Sequence, residues 1–277
     1  MPRKINNKLI EKLKESSLKQ LLDYLKKEQK RLKLEVRRQG KFNVYYKKCK
    51  VLEVGLRTYS MDKKYFAAGE APQDIAKTVE TDPKSYFDKV CVAVDVWLEK
   101  HPHDEFETQQ AIAYHNQQKD DRYIILDMEY QFPQNNIEKE KRLKRATFDL
   151  LGIDTTTHNA VLFEVKRGLN SLRGKAGIAR HIDDFEKHFN GVHTGKLLGI
   201  LSENIVNIVK DKKELGLLDY TLPSDFSVNK VEFIFIFEPD NNTDIEQYNH
   251  IFDRENTSAH KNHYRTIFVS KEDYKLK

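Results

Sequence analysis

Only two cysteines, Cys49 and Cys91, occur in the 277 residues. Without a CxxC pair they supply neither a disulfide framework nor the four convergent ligands of a structural zinc site, so they read as reduced, partly buried thiols. No apolar run approaches the roughly 20 residues needed to cross a bilayer; even the stretch from Val231 to Phe237 falls far short. The charged N-terminus is not followed by an apolar signal segment, so the expectation is a cytoplasmic, non-membrane protein whose sequons at Asn241 and Asn256 stay unmodified. Internal repeats and a low-complexity tail are also lacking. Ten histidines are present, but the pairs His101/His103 and His260/His263 read as exposed polar groups rather than metal ligands.

What the chain has in quantity is charge, unevenly spread. Residues 1–64 hold 20 Lys and Arg against 7 Asp and Glu, whereas the remainder is net acidic. A basic block of this kind can track phosphates by displacing counterions, which makes nucleic acid the first partner to consider, with Arg31, Arg37 and Arg38 as its candidate phosphate contacts. The plain alternative is a solvated lysine-rich helix face.

Leu9, Leu13, Leu18, Leu21, Leu22, Leu25 and Leu32 recur near three-and-four spacing, predicting a helix over residues 5–39 with Gly40 as its C-terminal cap. Phe42 to Tyr59, rich in Val and Tyr, reads as strand or hairpin, and Ala67 to Thr81 as a connector. A boundary is placed there, giving a largely helical basic region over 1–81 and a second domain over 82–277. Asp82-Pro83 starts a helix with Asp as cap, and another helix is expected from Asp104. Tyr123 to Gln131, Thr147 to Ile153 and Ala160 to Val165 are three β-like runs. A helix over Ser171 to Phe189, an apolar run at Lys196 to Leu201, a helix through Val209 and a β run at Val231 to Phe237 follow. Helices alternating with strands in this order predict a mixed α/β sheet.

Chemistry concentrates at the third run. Side chains alternate along a strand, so Glu164 and Lys166 share a face with Leu162 while Val161, Phe163 and Val165 face the other way. Two charges on a face that otherwise buries apolar groups are costly unless they have partners or a metal. Asp149 stands within Phe148, Leu150 and Leu151, where a lone carboxylate is equally out of place. Acid-x-Lys triplets recur elsewhere in the chain, as at Asp62/Lys64 and Asp211/Lys213; context, not the triplet, singles this one out.

The segment from Phe148 to Asp154, followed by Ala160 to Lys166, resembles the second and third strands of the PD-(D/E)xK nuclease superfamily. Asp149 and the Glu164-Val165-Lys166 triplet match residue for residue, while Phe148 stands where a proline is common. The resemblance covers roughly residues 82–240. It implies a restriction-endonuclease-like core, a mixed central sheet flanked by helices, and catalytic roles for Asp149, Glu164 and Lys166. Mg²⁺, with Mn²⁺ as a substitute, would be held by Asp149, Glu164 and the Val165 carbonyl. The family's first helix often adds a glutamate, here Glu107 or Glu105, although Asp104 and Glu107 also spell a capping box; Glu129 is a rival. His181, in His181-Ile182-Asp183-Asp184-Phe185, is similar to a family motif on the following helix that lies near the scissile phosphate, with Arg180 and Lys175 as competing phosphate contacts.

The expected function is therefore metal-dependent phosphodiester hydrolysis, DNA favoured over RNA. Alternatives are a non-catalytic nucleic-acid-binding protein that retains the fold, a buried ion pair in place of a metal site, and a coiled-coil arm over residues 5–39 that makes a homodimer.

Overall fold

The computed structural model describes residues 2–67, 69–103, 105–132, 147–189, 194–241, 244–256 and 264–277. They form two compact units, Met1–Tyr114 with Glu203–Ser224, and His115–Ser202 with Asp225–Lys277. The boundary expected near residue 81 falls inside the first unit. Asp82 is the N-cap of the next helix and accepts from the Ser85 amide at 3.0 Å. That helix is tied to earlier elements: Phe87 stacks on Tyr24 at 5.7 Å, and the Tyr86 hydroxyl donates to the Val51 carbonyl at 2.7 Å.

In the first unit the predicted long helix is two short ones, α1 (Asn7–Glu15) and α2 (Lys19–Lys27). Ser16 and Ser17 separate them; serine competes with the helix for backbone hydrogen bonds and favours ends. The break lets Leu9 and Leu13 of α1 and Leu21, Leu22 and Leu25 of α2 all reach the core. The rest of the expected helix is β1 (Lys33–Val36), paired antiparallel with β2 (Phe42–Tyr46). Gly40 has φ +75 and Gln39 φ +63, so this glycine shapes the β1–β2 turn rather than a helix cap. The two-residue turn Lys47-Lys48, both at positive φ, joins β2 to β3 (Cys49–Val54), and β4 (Tyr59–Ser60) completes a four-stranded sheet. The N-terminal region is thus as much sheet as helix. Within the expected connector lies α3 (Ile75–Thr81); α4 (Pro83–Lys100) and α5 (Glu105–His115) follow. The capping box proposed for Asp104 lies outside the described residues. Helical residues 203–214 belong to this unit because Asn204 and Asp211 accept from the amides of Arg3 and Ile5, at 2.7 and 2.6 Å, and Lys212 pairs with buried Glu35 at 2.6 Å.

In the second unit the three β-like runs become β5 (Tyr123–Gln131), β6 (Thr147–Asp154) and β7 (Ala160–Arg167). The helix expected from Ser171 starts later, as α6 (Ile178–Phe189); two 3-10 turns precede it, Gly168 capping the first and Gly174 opening the second at φ +75 and +77. The next two helical and apolar segments are one helix, α7 (Thr194–Glu214). After β8 (Val231–Glu238) come two elements that sequence patterning did not pick out, α8 (Ile245–Glu255) and β9 (Arg265–Phe268). The sheet order is β5-β6-β7-β8-β9, antiparallel from β5 to β7 and parallel from β7 to β9. The unit is therefore α/β with a mixed five-stranded sheet. Phe233, Phe235 and Phe237 share one face of β8. Phe185 of α6 stacks on Phe233 at 4.9 Å, and Phe252 of α8 lies 5.6 Å from Phe235, so both helices cover that face. Burying each such ring contributes about 1.5–3 kcal/mol. No described helix is long and apolar enough to cross a membrane.

Candidate active site

β7 is the middle strand, and its register sets Glu164 beside Phe235 and Lys166 beside Phe237 of β8. Both charged residues therefore lie on the face that α6 and α8 cover, each only 3% exposed. Burial in such surroundings penalises both charges, and the arrangement stands because they answer one another: Lys166 Nζ is 2.8 Å from Glu164 Oε1. His181, projecting from the first turn of α6, brings Nε2 to 2.9 Å from the same oxygen and 3.3 Å from Lys166 Nζ. Two nitrogens thus converge on Oε1. Glu164 Oε2 is buried and has no hydrogen-bond partner among the described residues. A solvent-shielded carboxylate oxygen left this way costs free energy unless something else satisfies it.

Asp149 is held against β7 from β6. It is 6% exposed, and its Oδ2 accepts from the Val165 amide at 2.9 Å, between the two charged residues of the triplet. On the other side of β6, Glu129 falls opposite Asp149, between the paired positions Met128↔Leu150 and Tyr130↔Phe148. Glu129 adopts φ +56, a conformation that a non-glycine residue in a strand takes only when its surroundings impose it. Asp127, one turn of the pleat away, is fully buried. Asp154, at the far end of β6, has a different role. Although burial opposes its charge, the Thr156 and Thr157 amides and Arg122 hold its carboxyl below the usual range, making it the anchor of the β6–β7 turn.

The structure thus brings together Asp149, Glu164, Val165, Lys166 and His181. Glu107 is in the first unit, where its carboxylate meets Lys47 Nζ at 2.6 Å. Arg31 is also there, its guanidinium bound to the Tyr24 hydroxyl at 2.8 Å and to Glu28 and Asp88; it ties α2 to α4. Arg37 lies 5.1 Å over the Tyr45 ring and donates to the Val36 carbonyl, and Arg38 bridges to Arg3. Arg180 is exposed beside Asp184 on α6 at 3.2 Å. Lys175 sits in the 3-10 turn before α6, and its side chain lies outside the described residues. Asp127 was missed by sequence reasoning, although a carboxylate inside an apolar run is the same signal that found Asp149.

No group of three His, Cys, Asp or Glu disposed to hold a metal occurs among the described residues. Beside Glu164 the described residues offer the Asp149 carboxylate, which accepts from the Val165 amide. Oxygen donors of this kind suit a hard cation such as Mg²⁺ or Mn²⁺, which keeps several waters, rather than zinc, whose protein ligands are mostly His and Cys. Compared with known proteins, the chain matches no family model, and no curated protein or solved structure is significantly similar to it.

Proposed function

We propose that the second unit is a metal-dependent nuclease of restriction-endonuclease-like type, hydrolysing phosphodiester bonds in nucleic acid, with DNA the first substrate to test. The single observation that carries the reading is the Glu164 carboxylate: one oxygen gathers Lys166 and His181, while the other is buried without a hydrogen-bond partner among the described residues. A purely structural Lys–Glu pair gives no reason to leave that oxygen unsatisfied, or to place Asp149 against the next peptide. Mg²⁺ or Mn²⁺ at this site would polarise a phosphoryl oxygen and lower the pKa of a bound water. Asp149, Glu164 and the Val165 carbonyl are the oxygen donors. Lys166 supplies positive charge against a pentavalent phosphorane. His181 positions Glu164 by donating to Oε1 through Nε2, so its Nδ1 would be the acceptor in the neutral ring. Within the second unit three strands, β5 to β7, precede α6, and β8 follows after α7, an order that supports the same reading.

The test is cleavage of circular plasmid and of single-stranded DNA with Mg²⁺, Mn²⁺ or EDTA, comparing wild type with Glu164→Gln and Lys166→Met. Metal-dependent cutting that falls by about 100-fold or more in both variants is expected. Equal cutting by the variants, or cutting in EDTA, overturns the site.

A further inference from the structure

The first unit carries a groove of about 840 Å³ between α4 and residues 64–67 and 69–73. Lys89, Val92, Val96, Trp97 and Lys100 recur along α4 at three-and-four spacing and present one continuous stripe to it. Its apolar centre is uncovered: Val92 and Val96, 63% and 46% exposed, are the two most exposed large apolar side chains among the described residues. Cations stand at both ends of the stripe, Lys89 and Lys100, and Lys64 stands on the facing wall; Glu70 is the one carboxylate in the described lining.

Chemistry narrows the occupant. A single nucleic-acid strand held by base stacking would need an open aromatic face. The Trp97 ring is already engaged: Lys64 Nζ lies 4.8 Å over it, His101 stacks on it at 4.5 Å, and Tyr65 meets it edge-on at 5.4 Å. The stripe instead suits a ligand that is apolar in the middle and negative at its ends.

We propose that this groove docks a segment of a partner protein that forms an acidic amphipathic helix. Its apolar side chains lie on Val92 and Val96, and its carboxylates meet Lys64, Lys89 and Lys100. The inference is independent of the nuclease reading, because its residues all belong to the first unit.

Trp97 is the only tryptophan in the chain, so its emission reports the groove directly. Full-length protein is titrated with a tryptophan-free helical peptide of about 16 residues, long enough to follow the stripe. The peptide carries leucines at i, i+3, i+4 and i+7 and glutamates elsewhere. A lysine-for-glutamate version and an oligothymidylate serve as the other probes. Expected is a saturable change in Trp97 emission with the acidic peptide only. Affinity should weaken about tenfold or more in Val96→Asp, as for loss of an apolar anchor. In Lys89→Glu/Lys100→Glu the preference should switch to the lysine peptide. All three positions are exposed, and equal melting temperatures check that the variants stay folded. Silence toward the acidic peptide, or indifference to the charge swap, overturns the proposal. A response to oligothymidylate makes the groove a nucleic-acid contact instead. Emission that changes with protein concentration, together with a sedimenting dimer, makes it a self-interface.

Discussion

His181 Nε2 lies 2.9 Å from Glu164 Oε1, the same oxygen that Lys166 Nζ approaches at 2.8 Å. The two oxygens of one carboxylate are therefore unequal: two nitrogens approach Oε1, while Oε2 has no hydrogen-bond partner among the described residues. Removing the His181 donor should loosen Glu164 without disturbing the core, since the imidazole is partly exposed. His181→Ala is expected to weaken Mn²⁺ binding about tenfold to 100-fold, the usual loss when a group that orients a metal ligand is deleted. His181→Gln, which keeps an N–H donor of similar reach, should recover part of it. Calorimetric titration with Mn²⁺ measures both; unchanged affinity in the alanine variant would show that His181 does not position the carboxylate.

The pair itself invites a stability test. Truncating one partner of a buried ion pair leaves the other charge uncompensated and typically costs about 3–5 kcal/mol, whereas replacing both with apolar groups of similar volume is often neutral. Lys166→Met should therefore lower the urea midpoint, and Glu164→Leu/Lys166→Met should regain most of the loss while remaining inactive. If the double variant is as unstable as the single one, the pair holds the strands together in its own right.

The sheet of the second unit was legible because β5, β6 and β7 are short apolar runs set between polar or glycine-containing segments, and β8 is the same signal again. The carboxylates were legible for a related reason, as charges embedded in such runs. The N-terminal helix was misread because leucine spacing carries across Ser16-Ser17 and hides the break. Its tail did contain a warning: Leu32, Leu34 and Val36 alternate with period two, but among so many lysines and arginines the pattern passed for a helix face. No local pattern announces that residues 203–224 fold back with the first unit. That assignment rests on the Asn204 and Asp211 side chains meeting backbone amides some 200 positions away in sequence. Long-range pairings of this kind are set by tertiary structure.

Gly152 sits where β6 runs between β5 and β7, and space rather than backbone freedom requires it. A Cβ there would lie 2.8 Å from the Ile124 carbonyl oxygen and 3.1 Å from the Phe163 ring. Gly152→Ala should cost about 1–3 kcal/mol, as overpacking in a close-packed interior does, and should depress the melting temperature. An alanine variant that melts with wild type would show that the strands can part at that point.

Asp82 offers a milder test. Its carboxylate accepts from the Ser85 amide and satisfies one free donor at the start of α4, so Asp82→Ala should cost about 1 kcal/mol by denaturant titration, and Asp82→Asn much less. An equal loss in both variants would assign the effect to charge at the helix terminus rather than to the cap.

Lys33 gives the first unit an unusual response to pH. Complete burial, reinforced by the neighbouring Lys212 and only partly offset by Glu35, pushes its ammonium down to about 7 from an ordinary value near 10.5. Between those two values the unfolded chain binds a proton that the folded chain does not, so folding becomes more favourable as pH rises from 7 toward 10. The slope for one proton is about 1.4 kcal/mol per pH unit. Below pH 7 both states are protonated, and the fold carries the full cost of a buried ammonium. Lys33→Met should therefore be more stable than wild type at pH 6–7, and the advantage should shrink steadily toward pH 10. Denaturant unfolding of the two proteins at pH 6, 7, 8 and 9 measures the difference directly, and groups common to both cancel. A constant difference across that range would mean that Lys33 keeps its charge inside the fold, with Glu35 compensating burial in full.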